Sequence, residues 1–376
     1  MGAKSVLVLF VNKYVMDKIL TLIIPTYNME LYLRYCLDSL LVDEGMDALE
    51  VLVVNDGSRD CSLEIAREYE HKYPQTFKVI DKENGNYGSC VNRGLKEATG
   101  KYVKVLDADD SFDTEHFGHY ISFLQETDAD LVLSDFAVVD TNRTIRKIIK
   151  YDQGLGRMFE MEQVCCSSKF QNMQMHAVAY RLENLKKLGY VQTEGISYTD
   201  QQWIFLPMIT VKTIAYFDEY VYKYLVGRAG QTMEPVFKFQ NLLYVMRCGL
   251  DMVFAYENHK VKIIDKPIQH YLYARLLPFV KAAYVTSLTH YNIDTKKALM
   301  NYDDELRKHS EEIYELIGDK DISSFMGFKY IDYWRRHKGA NIIVMRILSK
   351  LYLCILGIKK HLHGSDDMAV PVFFLK

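Results

Sequence analysis

A chain of 376 residues exceeds one typical domain, and 49% apolar residues, 25% charged residues and a formal net charge of −3 fit an ordinary globular protein with a sizeable core. That balance gives no electrostatic reason to expect a nucleic-acid partner. Seven cysteines, an odd number, fall into no CxxC pair and no zinc-ligand spacing, so they read as reduced thiols in a cytoplasmic protein.

The first apolar run, Val6 to Val11, lacks a small-residue cleavage site and is too short to span a bilayer. Met16, Asp17 and Lys18 directly precede the first strong strand pattern, so residues 1–18 read as an upstream extension. From Ile19 to Asp110, apolar runs at Leu20 to Ile24, Leu49 to Val54, Phe77 to Ile80 and Tyr102 to Leu106 alternate with helical patterns at Glu30 to Leu41, Cys61 to Tyr73 and Tyr87 to Ala98. Such alternation predicts βαβ units and an α/β fold with a mostly parallel sheet. Ser58 and Asp60 suit the N-cap of the second helix, and Gly100 suits the end of the third. Beyond this lie a helix at Glu115 to Gln125, a strand at Leu131 to Ser134 and a hairpin-like stretch to Lys150. A polar cluster, Glu194 to Trp203, opens a further helical stretch, and residues 234–337 read as largely helical. The apolar segment Asn341 to Ile358 is flanked by Arg335, Arg336, Lys338, Lys359 and Lys360. It suits either a helix lying on an anionic membrane surface or one packed on protein, its own or a second copy.

Three of the strands end in polar clusters: Pro25 to Asn28, Asn55 to Ser58 and Asp107 to Asp110. In an open α/β sheet, ligands bind beyond the carboxyl ends of the strands. Paired carboxylates there are costly without a positive partner, and a divalent cation such as Mg2+ takes one or two carboxylates plus substrate phosphates. Asp107 and Asp109 are the candidate ligands, with Asp110 as the cap of the following helix; a solvated turn is the alternative reading. Asp56, released by the turn at Gly57, could accept from a base or ribose, or form only an Asx turn. Pro25 stiffens its loop, Tyr27 offers a stacking ring and Asn28 an amide.

These clusters, with NGNYGSCVNRG from Asn84 to Gly94 and ATGKYVKVLDADD from Ala98 to Asp110, resemble the nucleotide-binding half of the family 2 glycosyltransferases. The resemblance is close over Leu20 to Asp113 and looser to Thr232. It implies a GT-A fold with a nucleotide-sugar half at 19–113, an acceptor half at 114–232 and a helical region at 233–376 carrying the interface helix 340–360. It implies further that Pro25, Tyr27 and Asp56 meet the base, that Asn28, Asn84, Asn92 and Ala108 line the donor site, and that Asp107 and Asp109 form the DXD element meeting ribose, diphosphate and a Mn2+ or Mg2+ ion. Where relatives carry Arg before the Asn of the third motif, this chain has Val91, and Arg93 follows Asn92.

The family's catalytic base matches Asp200 in TEGISYTDQQW, with Thr199 in place of the usual Glu and Glu194 as the fallback. A helix-terminal carboxylate favoured by the dipole is the bland reading of Asp200. In VYKYLVGRAGQTM, Arg228 leads Gln231 and Lys223 as the phosphate contact, and His176 could face the same cleft or be structural. The expected activity is inverting transfer of one sugar from a UDP-sugar or similar donor to a saccharide or lipid-linked hydroxyl in cell-surface polysaccharide or glycolipid synthesis. A sugar nucleotidyltransferase would need a Gly-rich basic loop where PTYNMELYL stands. A catalytically inactive nucleotide-sugar binder is the other alternative, hinted at by Thr199.

Overall fold

The computed structural model describes residues 17–228, 238–260, 263, 266–318, 324–325, 327–337, 343–344, 347 and 350–351. Strands β1 (Leu20–Thr26), β2 (Leu49–Asn55), β3 (Phe77–Asp81) and β4 (Tyr102–Val105) form a parallel block in the order β3-β2-β1-β4. Their apolar runs are buried on both faces, as a sheet covered by helices on each side requires. The crossovers carry α1 (Leu33–Asp38), α2 (Ser62–Lys72) and α3 (Asn86–Glu97). After β5 (Ser111–Phe112) and α4 (Thr114–Glu126), the sheet becomes mixed. There β6 (Leu131–Val139) pairs antiparallel with β7 (Ile145–Ile149), and β8 (Met158–Glu160), β9 (Val178–Arg181) and β10 (Thr213–Leu225) complete it. Its order continues β4-β9-β6-β10-β5.

Short helices α5 (Met161–Val164), α6 (Ser168–Gln171), α7 (Leu182–Leu188) and α8 (Asp200–Trp203) cover this half. The helical C-terminal region comprises α9 (Phe239–His259), α10 (Lys266–Thr289), α11 (Ile293–His309), α12 (Glu311–Gly318) and α13 (Tyr330–His337), with a small hairpin of β11 (Ser324–Phe325) and β12 (Phe328–Lys329). It shares one apolar core with the sheet and is stitched to it by hydrogen bonds. The Tyr271 hydroxyl donates to the Ile204 carbonyl (2.8 Å) and Thr193 Oγ1 to Asp251 (2.9 Å). No helix among the described residues is long and apolar enough to cross a membrane. Of the interface segment 340–360, only Ile343, Val344, Ile347, Lys350 and Leu351 are described, and all are exposed; the rest lies outside the described residues, as do residues 1–16.

Several expectations are corrected. The first helix is only Leu33–Asp38, because Met29 to Tyr32 close a turn ahead of it. Asp110 does not cap α4; Asp113 does, its side chain accepting from the His116 amide. Gly100 lies beyond the helix end and is required by close approach: a Cβ there would stand 2.6 Å from the Thr21 nitrogen. The helical stretch after Glu194 is one α turn followed by a 3-10 turn at Leu206–Thr210, and then comes β10, thirteen residues with four tyrosines that suit a pleated surface.

Candidate functional site

The parallel register sets Thr26 opposite Asn55, so the first two polar clusters leave β1 and β2 side by side. Asn28, in the left-handed region (φ 53°), accepts the Arg59 amide on its side-chain oxygen (2.8 Å), and its own amide donates to Ser58 Oγ (3.1 Å). Asn28 thus spends its side-chain carbonyl in locking the two loops together. Tyr27 is 43% exposed beside them. Asp56 is buried and accepts from Lys82 Nζ (2.5 Å) and the Gly85 amide (2.9 Å), while Asn84 Nδ2 donates to its carbonyl (2.9 Å). Gly57 makes the expected tight turn at φ 70°.

The third cluster turns through a bond from the Asp110 amide to the Asp107 carbonyl (3.0 Å). That turn sends the acids to different partners. Asp107 accepts from the Tyr87 hydroxyl (2.8 Å), and Asp110 from the Tyr222 hydroxyl (2.6 Å) and the Leu225 amide (2.7 Å), both on β10. Burial and the neighbouring Asp109 charge push the Asp107 carboxyl up to about 7, and burial likewise raises Asp110. His176 is buried against the rings of Tyr222 and Tyr224. Burial and the Lys104 charge lower its pKa to about 3, so its ring stays neutral. Asp107, Asp110 and His176 each offer a ligand atom, and these lie within 4.8 Å of one another. Two carboxylates resisting ionisation beside a neutral imidazole are a donor set a divalent cation fits. Behind His176 runs Lys104, wholly buried on β4, donating to the carbonyls of His176 (2.6 Å) and Val178 (3.2 Å).

Asp109 takes different partners. Its carboxylate pairs with the Arg228 guanidinium, which lies over the Tyr32 ring at 5.1 Å. Its carbonyl accepts from Arg143 Nη1 (3.1 Å), and that guanidinium stacks on Tyr35 at 4.2 Å. Two stacked cations therefore bracket the middle of the cluster. Ala108 is buried between the acids.

Asp200 opens α8, and its carboxylate accepts from Gln201 Nε2 (2.8 Å). Burial raises its pKa, opposed by the Gln201 bond and the Arg275 charge. The Asp200 charge in turn raises the pKa of both Tyr87 and Asp107, so the acid from the second half acts on the acids of the first. The segment before it packs on α3. The Asn92 amide donates to the Gln192 carbonyl (2.8 Å) and Glu194 (2.9 Å), and Asn92 Oδ1 accepts the Gln192 amide (2.8 Å). A Cβ on Gly88 would stand 2.0 Å from the Thr193 carbonyl, so only glycine allows this contact.

The structure therefore gathers Asp56, Asn84, Asp107, Ala108, Asp109, Arg228 and Asp200 at one sheet edge, with Tyr27 and the Pro25 loop beside them. Asn28 and Asn92 serve there as loop tethers. Lys223 instead pairs with Asp113 (2.7 Å), and Arg93 pairs with Glu97 on the outer face of α3 (3.1 Å). Gln231 lies outside the described residues. Sequence reasoning missed Lys82, Tyr87, Arg143, Tyr222 and Arg275. Tyr87 sat inside the third motif and was legible in principle; the others depend on contacts distant in the chain.

Residues 21–205 match the protein family described as Glycosyl transferase family 2. EpsH of Bacillus subtilis is 36% identical over 127 residues, 33% of this chain and 36% of its own length. YibD of Escherichia coli, an uncharacterized glycosyltransferase, is 29% identical over 210 residues, 54% of this chain and 60% of its own length. The chain thus matches less than two thirds of either relative. Among solved structures, Staphylococcus aureus TarS 1–349 in complex with UDP-GlcNAc superposes with a TM-score of 0.66 at 20% identity, covering 89% of this chain and 91% of that one.

Proposed function

Because the chain belongs to glycosyl transferase family 2 through residues 21–205, we propose that it transfers a single sugar from a nucleotide-diphosphate sugar to a hydroxyl of a saccharide or lipid-linked acceptor, with inversion. The observation that carries this reading is the convergence of Asp200 with Asp107 and Tyr87, felt as a charge from the second half of the chain acting on the acids of the first. In the proposed step, Asp200 takes the proton of the acceptor hydroxyl as its oxygen attacks the anomeric carbon. The bond from that carbon to the diphosphate oxygen breaks on the opposite face, which inverts the configuration. Burial raises the pKa of Asp200, and a higher pKa makes a carboxylate a stronger base.

On this reading Asp56, with Pro25 and Tyr27, meets the base of the nucleotide, and Arg228 answers phosphate charge beside Asp109. A UDP-sugar is the donor class we propose; the fold neighbour TarS was crystallised with UDP-GlcNAc. Asp107, Asp110 and His176 would hold the divalent cation, with Asp109 next to it. When bound, that ion would neutralise charge on the departing diphosphate. The exposed apolar positions Ile343, Ile347 and Leu351, four apart and near Arg335, Arg336 and Lys350, favour peripheral contact with an anionic membrane surface, cytoplasmic face, where lipid-linked acceptors and cell-surface precursors are met.

The test is release of nucleoside diphosphate from a panel of UDP- and GDP-sugars with Mn2+ or Mg2+. One donor should turn over, a chelator and Asp109→Ala should abolish turnover, and Asp200→Asn should lose roughly 10²- to 10⁴-fold in rate while keeping donor binding. Donor binding without turnover on any acceptor would favour an inactive binder, and no binding at all would sink the reading of this sheet edge.

A further inference from the structure

Asp200 is reached from a part of the chain that lies beyond the family match. Arg275 projects from α10 and is buried, 6% exposed. Its Nη1 donates to the Gln171 carbonyl (2.7 Å) and its Nη2 to Gln201 Oε1 (3.0 Å). The other end of the same amide, Gln201 Nε2, donates to Asp200 Oδ2 (2.8 Å).

The direction of this relay follows from which groups can donate. A guanidinium has five N–H donors and no acceptor, and an ionised carboxylate has acceptors only. A glutamine held between them has one good orientation: oxygen toward the arginine, nitrogen toward the aspartate. The flipped amide would set N–H against N–H at one end and oxygen against oxygen at the other, losing two hydrogen bonds and adding two repulsions. Arg275 therefore decides which atom Gln201 presents to Asp200. Fastening to the Gln171 carbonyl pins the guanidinium itself, so the orientation is inherited from α10 rather than from α8, which is only four residues long.

Resting on the reading of Asp200 as the base, we propose that Arg275 is a positioning residue for catalysis: acting through Gln201, it aims the Asp200 carboxylate at the acceptor hydroxyl, so the helical C-terminal region completes the active site. One of the roughly four acceptor positions of the carboxylate is taken by Gln201, which fixes the rotation of the group and leaves the others to receive the proton. A base misaimed by even an ångström loses rate while the donor, bound by other residues, notices nothing.

The experiment is a double-mutant cycle on the full chain, with nucleotide-sugar affinity measured by calorimetry and turnover by diphosphate release. Arg275→Met and Gln201→Leu should each lower kcat about 10- to 100-fold, the range seen when outer supports of functional groups are removed. Donor Kd should stay within about twofold. The double variant should be little slower than Gln201→Leu alone, because the arginine's hydrogen-bond route to Asp200 runs through the amide and only its charge reaches the carboxylate directly. Arg275→Lys, which keeps the charge and one donor nitrogen, should recover part of the rate. Gln201→Glu, which still accepts from Arg275 but cannot donate to Asp200, should be as slow as Gln201→Leu; it decides the matter should Arg275→Met not fold. Losses that multiply in the double variant, or full activity in Gln201→Glu or Arg275→Met, would overturn the relay. Asp200→Asn run alongside separates the two readings: if it remains active the base assignment fails, and if it is inactive while Arg275→Met is not, only the relay fails.

Discussion

Lys104→Met tests the electrostatics behind the acid cluster. The ammonium is wholly buried and donates to two backbone carbonyls, those of His176 and Val178. Burial brings its pKa from 10.5 to about 7. In the folded protein the proton leaves near pH 7, whereas the unfolded chain keeps it until about 10.5, so the unfolded state holds more protons across that window and stability must rise with pH. At about 1.36 kcal/mol per pH unit, burying the charged form at pH 6 costs roughly 4–5 kcal/mol, and much of that cost disappears as the pH climbs. Between pH 6 and pH 9 the wild type should gain about 2–3 kcal/mol that a methionine cannot gain. Loss of the ammonium removes donors from two carbonyls, a penalty of about 1–3 kcal/mol that does not vary with pH. Urea unfolding at both pH values measures the difference directly, since the variant's own pH dependence carries every other titrating group. Wild-type and variant stabilities that keep a constant gap from pH 6 to pH 9 would refute the reasoning, because the lysine would then be as easily charged inside the protein as outside it.

Three shorter predictions bear on the same edge. With Asp107 titrating near 7, a cation must compete with a proton, so Mn2+ should bind about tenfold more tightly at pH 8 than at pH 6 by calorimetry; equal affinity at both would detach Asp107 from the cation. Lys82→Met strands the buried Asp56 charge and should cost roughly 3 kcal/mol by denaturant unfolding, with weaker nucleoside diphosphate binding as well; unchanged stability would mean that the amides around Asp56 suffice. Gly88→Ala sets a methyl 2.0 Å from the Thr193 carbonyl and must push the 192–194 segment off α3. Acceptor turnover should fall more than donor affinity, and an alanine variant with wild-type kinetics would contradict the packing.

Much of residues 19–113 was legible because the placement of their polar clusters follows local rules. A strand that ends in a polar cluster puts that cluster at the carboxyl edge, and a right-handed parallel crossover returns the next strand beside it. Leu20 to Ile24 and Leu49 to Val54 were readable as strands from their short apolar runs, and Asp56 follows from where β2 stops. The direction in which each carboxylate points was not readable. Whether Asp109 or Asp110 shares the Asp107 side depends on one turn bond and on Tyr222 and Leu225, more than a hundred residues away. Reading Asp110 as a helix cap was sound local chemistry, and it lost to Asp113 because β5 intervenes between the cluster and α4.

The second half resists the same treatment for a reason visible in Asp200. Its position could be matched by motif, but its surroundings come from elements joined by no short rule: Gln201 from the same turn, Gln171 from α6, Arg275 from α10. A helix of 24 residues that is buried on several sides offers no clear apolar stripe from which to pick the residue that reaches a site. Arg275 is conspicuous only after folding, as a buried cation that donates to the Gln171 carbonyl and the Gln201 side-chain oxygen. An arginine pays a large desolvation cost to sit there, and the bond it makes on the way to Asp200 gives that burial a chemical direction. The proposed donor site is thus written in strand ends close together in the chain, while the proposed base, Asp200, is held by a long-range contact that sequence periodicity does not encode.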